Sequence, residues 1–388
     1  MLTREENETL TRVGPGTPGG ELLRRYWMPV ACVGELTDGK PIKPFRLLGE
    51  NLVVFRDRRG RYGVVGERCP HRSASLAFGR VDEEGIRCPY HGWKFDCFGK
   101  CIEQPAEPES AGFKAKVKHT AYPVEKLGGL LWAYLGPEPR PLLPRWDVLC
   151  WETGKRWIEK HEIYNCNWLQ PMENSVDPSH LYWLHGETAH LGSAVEKYEE
   201  EHHFIPFEFG IIKQRRTPGR KPGDGMQLDQ HPLVFPITLR HVFRTIKTDG
   251  LLRHNVQIRV PVDDAHTQVY VVYFTPNETD HAPADGDTPW EYFPIRDENG
   301  EYRLDHVLVQ DAMAWETQGA PTDRSLEHLG AGDEGIILLR KILREQIDIV
   351  RRGEEPLGVI RDPSKNRLIE FDVINERVGL FGKQQKVA

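Results

Sequence analysis

The chain has 388 residues, 39% of them hydrophobic and 28% charged, with a formal net charge of −7. That length suits two domains better than one, and the composition is that of a globular chain rather than a disordered one. The acidic balance argues against a nucleic-acid partner, because phosphate binding calls for a basic excess or stripe.

Residues 1–10 are charged from the first turn and hold no apolar run, so they do not read as a secretory leader. The longest apolar stretch, residues 128–135, is far shorter than the ~20 residues a membrane-spanning helix needs, and it reads as a buried strand. No membrane association is expected. Seven cysteines in so long a chain are not a disulfide framework, and the odd count fits a reducing compartment, the cytoplasm. Residues 1–25 are expected to be partly helical, with a turn at residues 14–20 (GPGTPGG). That run satisfies G-x-G-x-x-G, but polar sequence precedes it and two prolines interrupt it. A nicotinamide site is therefore not expected there.

From residue 27 to about residue 135, short β-like runs alternate with turn residues. Leu52-Val53-Val54-Phe55, a hairpin turn at residues 57–61 and Tyr62-Gly63-Val64-Val65 are examples. A small antiparallel β domain is expected. Residues 136–141 (GPEPRP) read as a linker, since three prolines in six residues suit neither a helix nor a central strand. The expected division is therefore 1–140 and 141–388. Beyond the linker, a helical stretch around residues 168–185 is followed by a long β-rich section that includes residues 256–260 and 268–273. Residues 280–291 are expected to form a solvated acidic loop. A last helix is expected where Ile336, Ile337, Leu338, Leu339, Ile342 and Leu343 recur with helical spacing beside Arg340, Lys341 and Arg344. No internal repeat is found.

Two segments carry metal chemistry in the first half. Cys69-Pro70-His71-Arg72 is followed, after 16 residues between His71 and Cys88, by Cys88-Pro89-Tyr90-His91-Gly92-Trp93. A tetrahedral zinc site would also accept two thiolates and two imidazoles. Zinc fingers and ribbons, however, usually pair Cys with Cys and His with His, whereas each segment here supplies one of each. That pattern suits a [2Fe–2S] cluster with both thiolates on one iron and both imidazoles on the other. Cys97 and Cys101 lie nearby and are expected to be free thiols rather than ligands. In the second half, Asp177, His180 and His185 could begin a two-histidine, one-carboxylate iron site. On a regular helix positions i and i+5 point about 140° apart, so the histidines converge only across a distorted turn. Spacing alone leaves solvated histidines as an equal reading.

C-P-H-R and C-P-Y-H-G-W-K-F-D resemble the motifs of the Rieske family in its oxygenase branch, and D-x-x-H-x-x-x-x-H resembles that branch's iron site. The opening L-T-R-V-G-P-G-T-P-G-G-E-L-L-R-R-Y-W-M-P-V is similar to the phthalate-dioxygenase type, and the similarity runs through most of the chain. Ser73 departs from the glycine that many relatives carry after H-R. It lies beside the ligands and could tune the potential without threatening ligation.

The resemblance implies an α+β chain, with an N-terminal antiparallel β Rieske domain and a helix-grip, START-like catalytic domain built on a curved antiparallel sheet. It implies a Rieske [2Fe–2S] cluster on Cys69, His71, Cys88 and His91, and a mononuclear non-heme Fe(II) on His180 and His185. Asp177 would bond the His180 ring and, across a subunit interface, His91 of a neighbouring protomer. With Pro178 next in sequence, Asp177 would also cap a helix. Asn174 is a further candidate catalytic residue. For the third ligand the run offers Asp311, Glu316, Asp323, Glu327, Asp333 and Glu334. The likeness of Q-D-A-M-A-W-E-T-Q-G-A-P-T-D-R-S-L-E-H-L-G-A-G-D-E-G-I-I to the family's ending maps it to Asp333, which would also suit a helix N-cap.

The implied activity is O2-dependent hydroxylation, dihydroxylation or O-/N-demethylation of a small aromatic compound. Phthalate-type relatives often take aromatic carboxylates, and Arg215, Arg216, Arg240 and Arg244 fall in the section expected to wall the pocket. No flavin or nicotinamide motif is found. Electrons would therefore come from a separate NADH-dependent reductase carrying flavin and a plant-type [2Fe–2S] cluster, or from a ferredoxin, and the chain would form a head-to-tail homotrimer. Two other readings remain open: a Rieske electron carrier without oxygenase chemistry, and a zinc-binding structural module.

Overall fold

Thr3 and Glu6 form a reciprocal capping box that opens the first helix, α1 (Arg4–Thr11). Thr17 caps α2 (Pro18–Leu23), with Pro18 in the first turn where its missing N–H costs nothing. The glycine-rich run expected as a turn is thus half turn and half helix start. A helix rather than a strand precedes it, the wrong context for a dinucleotide loop. The computed structural model describes residues 2–186, 200–219, 225–244 and 251–381.

Three small antiparallel sheets follow. Trp27–Cys32, Leu130–Tyr134 and Val124–Leu127 form the first; Ile42–Leu47, Glu50–Arg56, Tyr62–Gly66 and Ala121–Tyr122 the second; and four short strands between Arg80 and Glu103 the third. Val53, Val54 and Phe55 are fully buried, as β-branched and aromatic residues of an inner strand should be. The hairpin at residues 57–61 closes because Asp57 Oδ1 accepts the Arg61 N–H at 2.9 Å while Gly60 takes φ +79°.

The second half is one large, almost wholly antiparallel sheet with helices against it. Eight of its ten strands run in the spatial order Glu201–Phe207, Gly210–Pro218, Met226–Val234, Thr238–Arg244, Leu252–Pro261, Thr267–His281, Thr153–His161 and Trp290–Phe293, the last pair being parallel, and Ile374–Asn375 and Leu380–Phe381 join off that path. The expected loop at 280–291 is a correction. Trp290–Phe293 adds a strand and Ala284 and Thr288 are buried, so only part of that segment is solvated. The described helices here are α3 (Asp147–Cys150), α4 (Leu169–Asn174), α5 (His180–Trp183), α6 (Val307–Thr317) and α7 (Glu334–Arg351). The helical stretch expected at 168–185 is therefore two helices with a break between them.

Alternation along the strands gives the sheet two different faces. Val242, Val256, Ile258, Val272 and Phe274 join the main apolar cluster, which also takes in α7 and the first small sheet. The opposite face presents Val269, Val271 and Tyr273 to Val309, Ala312 and Trp315 of α6. No described helix is long and apolar enough to cross a membrane.

Candidate metal centres

The two cysteine–histidine segments fold alike. In each, the residue four positions after the cysteine turns its N–H back to the cysteine carbonyl: Ser73 to Cys69 at 2.8 Å and Gly92 to Cys88 at 3.2 Å. Both turning residues lie in the left-handed region, Ser73 at φ +60° and Gly92 at φ +73°. Cys69 and Cys88 are buried in an apolar cluster with Leu76, Ile86, Trp93 and Phe95, while His71 and His91 are half-exposed. The two imidazole centroids are 4.6 Å apart, and His71 stacks on Trp93 at 4.4 Å. Burial, with the adjacent Cys88 thiol adding to it, pushes the Cys69 thiol up to about 12. Thiols set in such a place give up their protons only to a cation. Two inward thiols and two outward imidazoles are the donor set that a mixed-ligand two-iron cluster requires. Cys97 and Cys101 are buried free thiols packed in the same cluster.

The second centre is assembled from two helix ends. α4 stops at Asn174, whose carbonyl accepts the Asp177 N–H at 3.1 Å. Asp177 Oδ1 then accepts from the Ser179 N–H and hydroxyl at 2.9 and 2.8 Å and restarts the chain as α5. α5 ends at Trp183, so His185 lies beyond it and escapes the helical angle that would separate it from His180. Their ring centroids are 5.4 Å apart.

α6 supplies the carboxylate. Asp311 Oδ1 is 3.1 Å from His185 Nε2 and 3.8 Å from His180 Nε2. The ligand atoms of His180, His185 and Asp311 all lie within 4.8 Å of one another. The far side of the His185 ring is held as well. His185 Nδ1 is 2.8 Å from Gln310 Oε1, and Gln310 Nε2 donates to the Leu304 carbonyl at 2.8 Å, which fixes the amide. His180 Nδ1 faces Asp177 Oδ2 at 3.6 Å. Burial alone would raise the Asp177 carboxyl, but His180 and Ser179 hold it down to about 2. Burial likewise lowers His185, yet Asp311 and Gln310 outweigh it and the ring ends above its usual range. Two histidines with Nε2 turned inward, one buried carboxylate and orienting partners behind them fit a divalent iron.

Asp333 is a correction. It is the N-cap residue of α7, and its Oδ2 accepts the Gly330 N–H at 2.7 Å, so the carboxyl is spent on its own turn and does not meet the histidines. Asp311 is the carboxylate that meets them. The side chain of Asn174 is not among the converging groups. Trp183 is 73% exposed, neither core nor pocket wall within this chain. Gln310 was missed, and being adjacent to an aspartate in sequence gives no signal of its role. Also missed was Glu173, buried between Arg324 (Nη2 at 2.7 Å) and Arg340 (Nε at 2.6 Å), which pins α4 to α7 one residue before Asn174.

The description "Rieske [2Fe-2S] domain" matches residues 26–122. Over 98% of this chain and 89% of the other, the sequence is 38% identical to the 5,5'-dehydrodivanillate O-demethylase oxygenase subunit of Sphingobium sp. (strain NBRC 103272 / SYK-6). It is 32% identical to the phthalate 4,5-dioxygenase oxygenase subunit of Pseudomonas putida, over 96% of this chain and 92% of that one. The fold is similar to that of NdmA from Pseudomonas putida CBB5 with caffeine, with a TM-score of 0.66 at 23% identity over 86% of this chain and 93% of that one.

Proposed function

The chain belongs to the Rieske oxygenase family, and on that premise we propose that it uses O2 to hydroxylate, dihydroxylate or O-/N-demethylate an aromatic compound. Cys69, His71, Cys88 and His91 would hold the [2Fe–2S] cluster, and His180, His185 and Asp311 the mononuclear Fe(II). The observation that carries this reading is the convergence of those last three residues, which a pure electron carrier has no use for. When bound, the cluster supplies single electrons, and the iron, with only three protein ligands, supplies O2 activation. A separate NADH-dependent reductase, or a ferredoxin, would supply the electrons. One relative is named an O-demethylase and another a dioxygenase, and the proposal spans both chemistries.

The protein's own residues have defined tasks. Gln310 holds the Nδ1 side of His185, and the Asp177 carboxylate faces Nδ1 of His180 at 3.6 Å, with the Nε2 atoms of both rings towards Asp311. Asp177 also keeps a quarter of its side-chain surface open. That opening supports its further role as the bridge to His91 of a neighbouring protomer in a homotrimer.

Iron quantitation tests the assignment. The loaded protein should carry about three irons per chain, where a carrier would carry about two. Asp311→Asn should fall towards two with the Rieske EPR signal unchanged and O2-coupled turnover lost, whereas Asp333→Asn should keep all three. The opposite pattern would restore Asp333 as the ligand.

A further inference from the structure

The cations of the large sheet are engaged within the protein or face solvent. Arg240 Nε meets both Asp147 oxygens at 3.0 and 3.2 Å, and Arg215 pairs with Asp229 at 3.2 Å. Lys213 is buried opposite His231, Arg216 is exposed, and the side chain of Arg244 lies outside the described residues. The face packed on α6 holds something different, a line of rings that can be oxidised. Trp315 follows Asp311 by one helical turn and so lies on the same side of α6. Its ring centroid is 5.7 Å from that of Tyr164, and the Asp311 charge acts on the Tyr164 phenol. Tyr273 belongs to the same apolar cluster and stacks on Trp157 at 4.8 Å. Trp315, Tyr164 and Tyr273 are buried, whereas Trp157 is half-buried and borders a groove with Lys155 and Thr275.

Each buried phenol is aimed at a group that can take its proton. His161 is fully buried, and its Nδ1 lies 2.7 Å from the Tyr164 hydroxyl. Its Nε2 faces Glu159 Oε2 at 3.6 Å and has no hydrogen-bond partner among the described residues. A proton on Nε2, turned towards that carboxylate, leaves Nδ1 to accept from the phenol. The Tyr273 hydroxyl donates to the same Glu159 oxygen at 2.8 Å. Such an acceptor is what a phenol needs in order to lose an electron, because an oxidised phenol is a strong acid. Burial holds Tyr164 well above its ordinary 10 and His161 below its usual range, with Glu159 opposing the latter. At rest the proton therefore stays on the phenol oxygen and the imidazole is neutral. Trp315 has no such acceptor. Its Nε1 is buried without a partner among the described residues, and the Arg259 guanidinium lies 5.7 Å from the ring centroid, where it opposes a positive charge on the indole.

We propose that Tyr164 and Tyr273, with His161 and Glu159 as their proton acceptors, form a discharge path that reduces peroxide at the iron when no substrate is bound. This rests on the oxygenase reading above and adds a second, protective activity to the same site. Tyr164 gives one electron to the iron centre and its hydroxyl proton to His161 Nδ1, leaving a neutral phenoxyl radical. Tyr273 refills Tyr164, whose oxygen recovers the proton from His161, and passes its own proton to Glu159. Trp157 then refills Tyr273, which recovers the proton from Glu159, and the indole proton goes to water. Arg253 lies 5.6 Å from the Trp157 ring centroid and favours that loss by opposing a cation there. A small reductant such as ascorbate returns a hydrogen atom to Trp157. Two such passes supply the two electrons and two protons that turn one hydrogen peroxide into two waters.

The test mixes the fully loaded, substrate-free protein with hydrogen peroxide, freezes it for EPR, and maps oxygen addition by mass spectrometry. The wild type should show a radical signal that narrows when the protein is made with ring-deuterated tyrosine, and oxygen addition at Trp157. Tyr164→Phe should lose both. Tyr273→Phe should keep the signal and lose the addition at Trp157, which tests the path independently should the first variant fold poorly. Asp311→Asn should show neither, because the peroxide then meets no iron beside the path. A fully loaded wild type without a tyrosine signal overturns the proposal. So does a signal that survives Tyr164→Phe or Asp311→Asn, or oxygen addition at Trp157 that either Phe variant leaves unchanged. Tyrosines that merely fill the core would give those results. Iron content separates this failure from that of the oxygenase reading: full loading and O2-coupled turnover without the radical remove the discharge path alone, whereas a chain that never takes up a third iron loses both.

Discussion

Ser73 and Gly92 hold equivalent places in the two ligand loops, yet only one of them is a residue suited to positive φ. A Cβ in the left-handed region costs about 1–2 kcal/mol, and the Ser73 side chain is exposed, so nothing on it offsets that cost. Ser73→Gly should therefore leave stability unchanged or raise it by up to about 1 kcal/mol. Gly92→Ala should lower it, since its new Cβ also meets Pro105 Cγ at 3.1 Å. Thermal melts followed at the cluster's visible absorption would separate the two. At this scale the sequence was informative about identity and silent about direction. The residues proposed for the cluster stood out by spacing because each loop carries its own cysteine and histidine. Lys213 and Arg215 could not be told apart, because which cation receives a carboxylate depends on Asp229, a partner on the next strand.

The choice between Asp311 and Asp333 was an element-scale problem. An aspartate just before an apolar helical run carries an N-cap signal whether or not it also binds metal, and the Asp333 carboxylate is taken up by the Gly330 N–H of the turn before α7. α6 buries Val309, Gln310, Asp311, Ala312 and Trp315, a nearly continuous run that hides which side of the helix faces the histidines. The break between α4 and α5 was foreshadowed by the i, i+5 spacing, but its position depends on Asp177 bonding its own following turn. Helix packing also sets that position. Gly335 in the first turn of α7 lies so close to Val176 that an added Cβ would run into the Val176 carbonyl oxygen and the Phe204 ring. Gly335→Ala should cost about 1–3 kcal/mol. By displacing the segment before Asp177, it should also slow O2-coupled turnover more than it alters cluster reduction, measured in parallel on one preparation.

On the scale of the whole molecule, the two halves share their interior. The main apolar cluster joins Leu10, Leu22 and Leu23 of the first two helices to Leu339 and Leu343 of α7, so the N-terminal helices pack on the far end of the chain. Periodicity reports on one element at a time and gave no sign of this joint core. One buried carboxylate crosses the same boundary. Glu35 accepts from Lys43 in the first half and from Lys160 at 2.6 Å in the second. Glu35→Gln would leave two ammoniums facing each other and should cost about 3 kcal/mol at pH 7. Burial and Lys160 already bring Lys43 down to about 8, even with Glu35 holding it up. Between pH 8 and its ordinary 10.5, the unfolded chain keeps a proton that the folded chain has released, so stability rises with pH across that window. The deficit of Glu35→Gln should accordingly shrink as the pH is raised towards 10, and chemical denaturation at several pH values would show it. A last consequence concerns how such a protein can diversify. The side chains proposed to bind iron come from α5, α6 and the turn after α5, while the sheet face packed against α6 is set by every second residue of separate strands. Substitutions at those alternate positions can change the surface facing α6 one strand at a time and leave His180, His185 and Asp311 in place. Substrate range and oxidative chemistry are thus free to evolve, or to be engineered, almost independently.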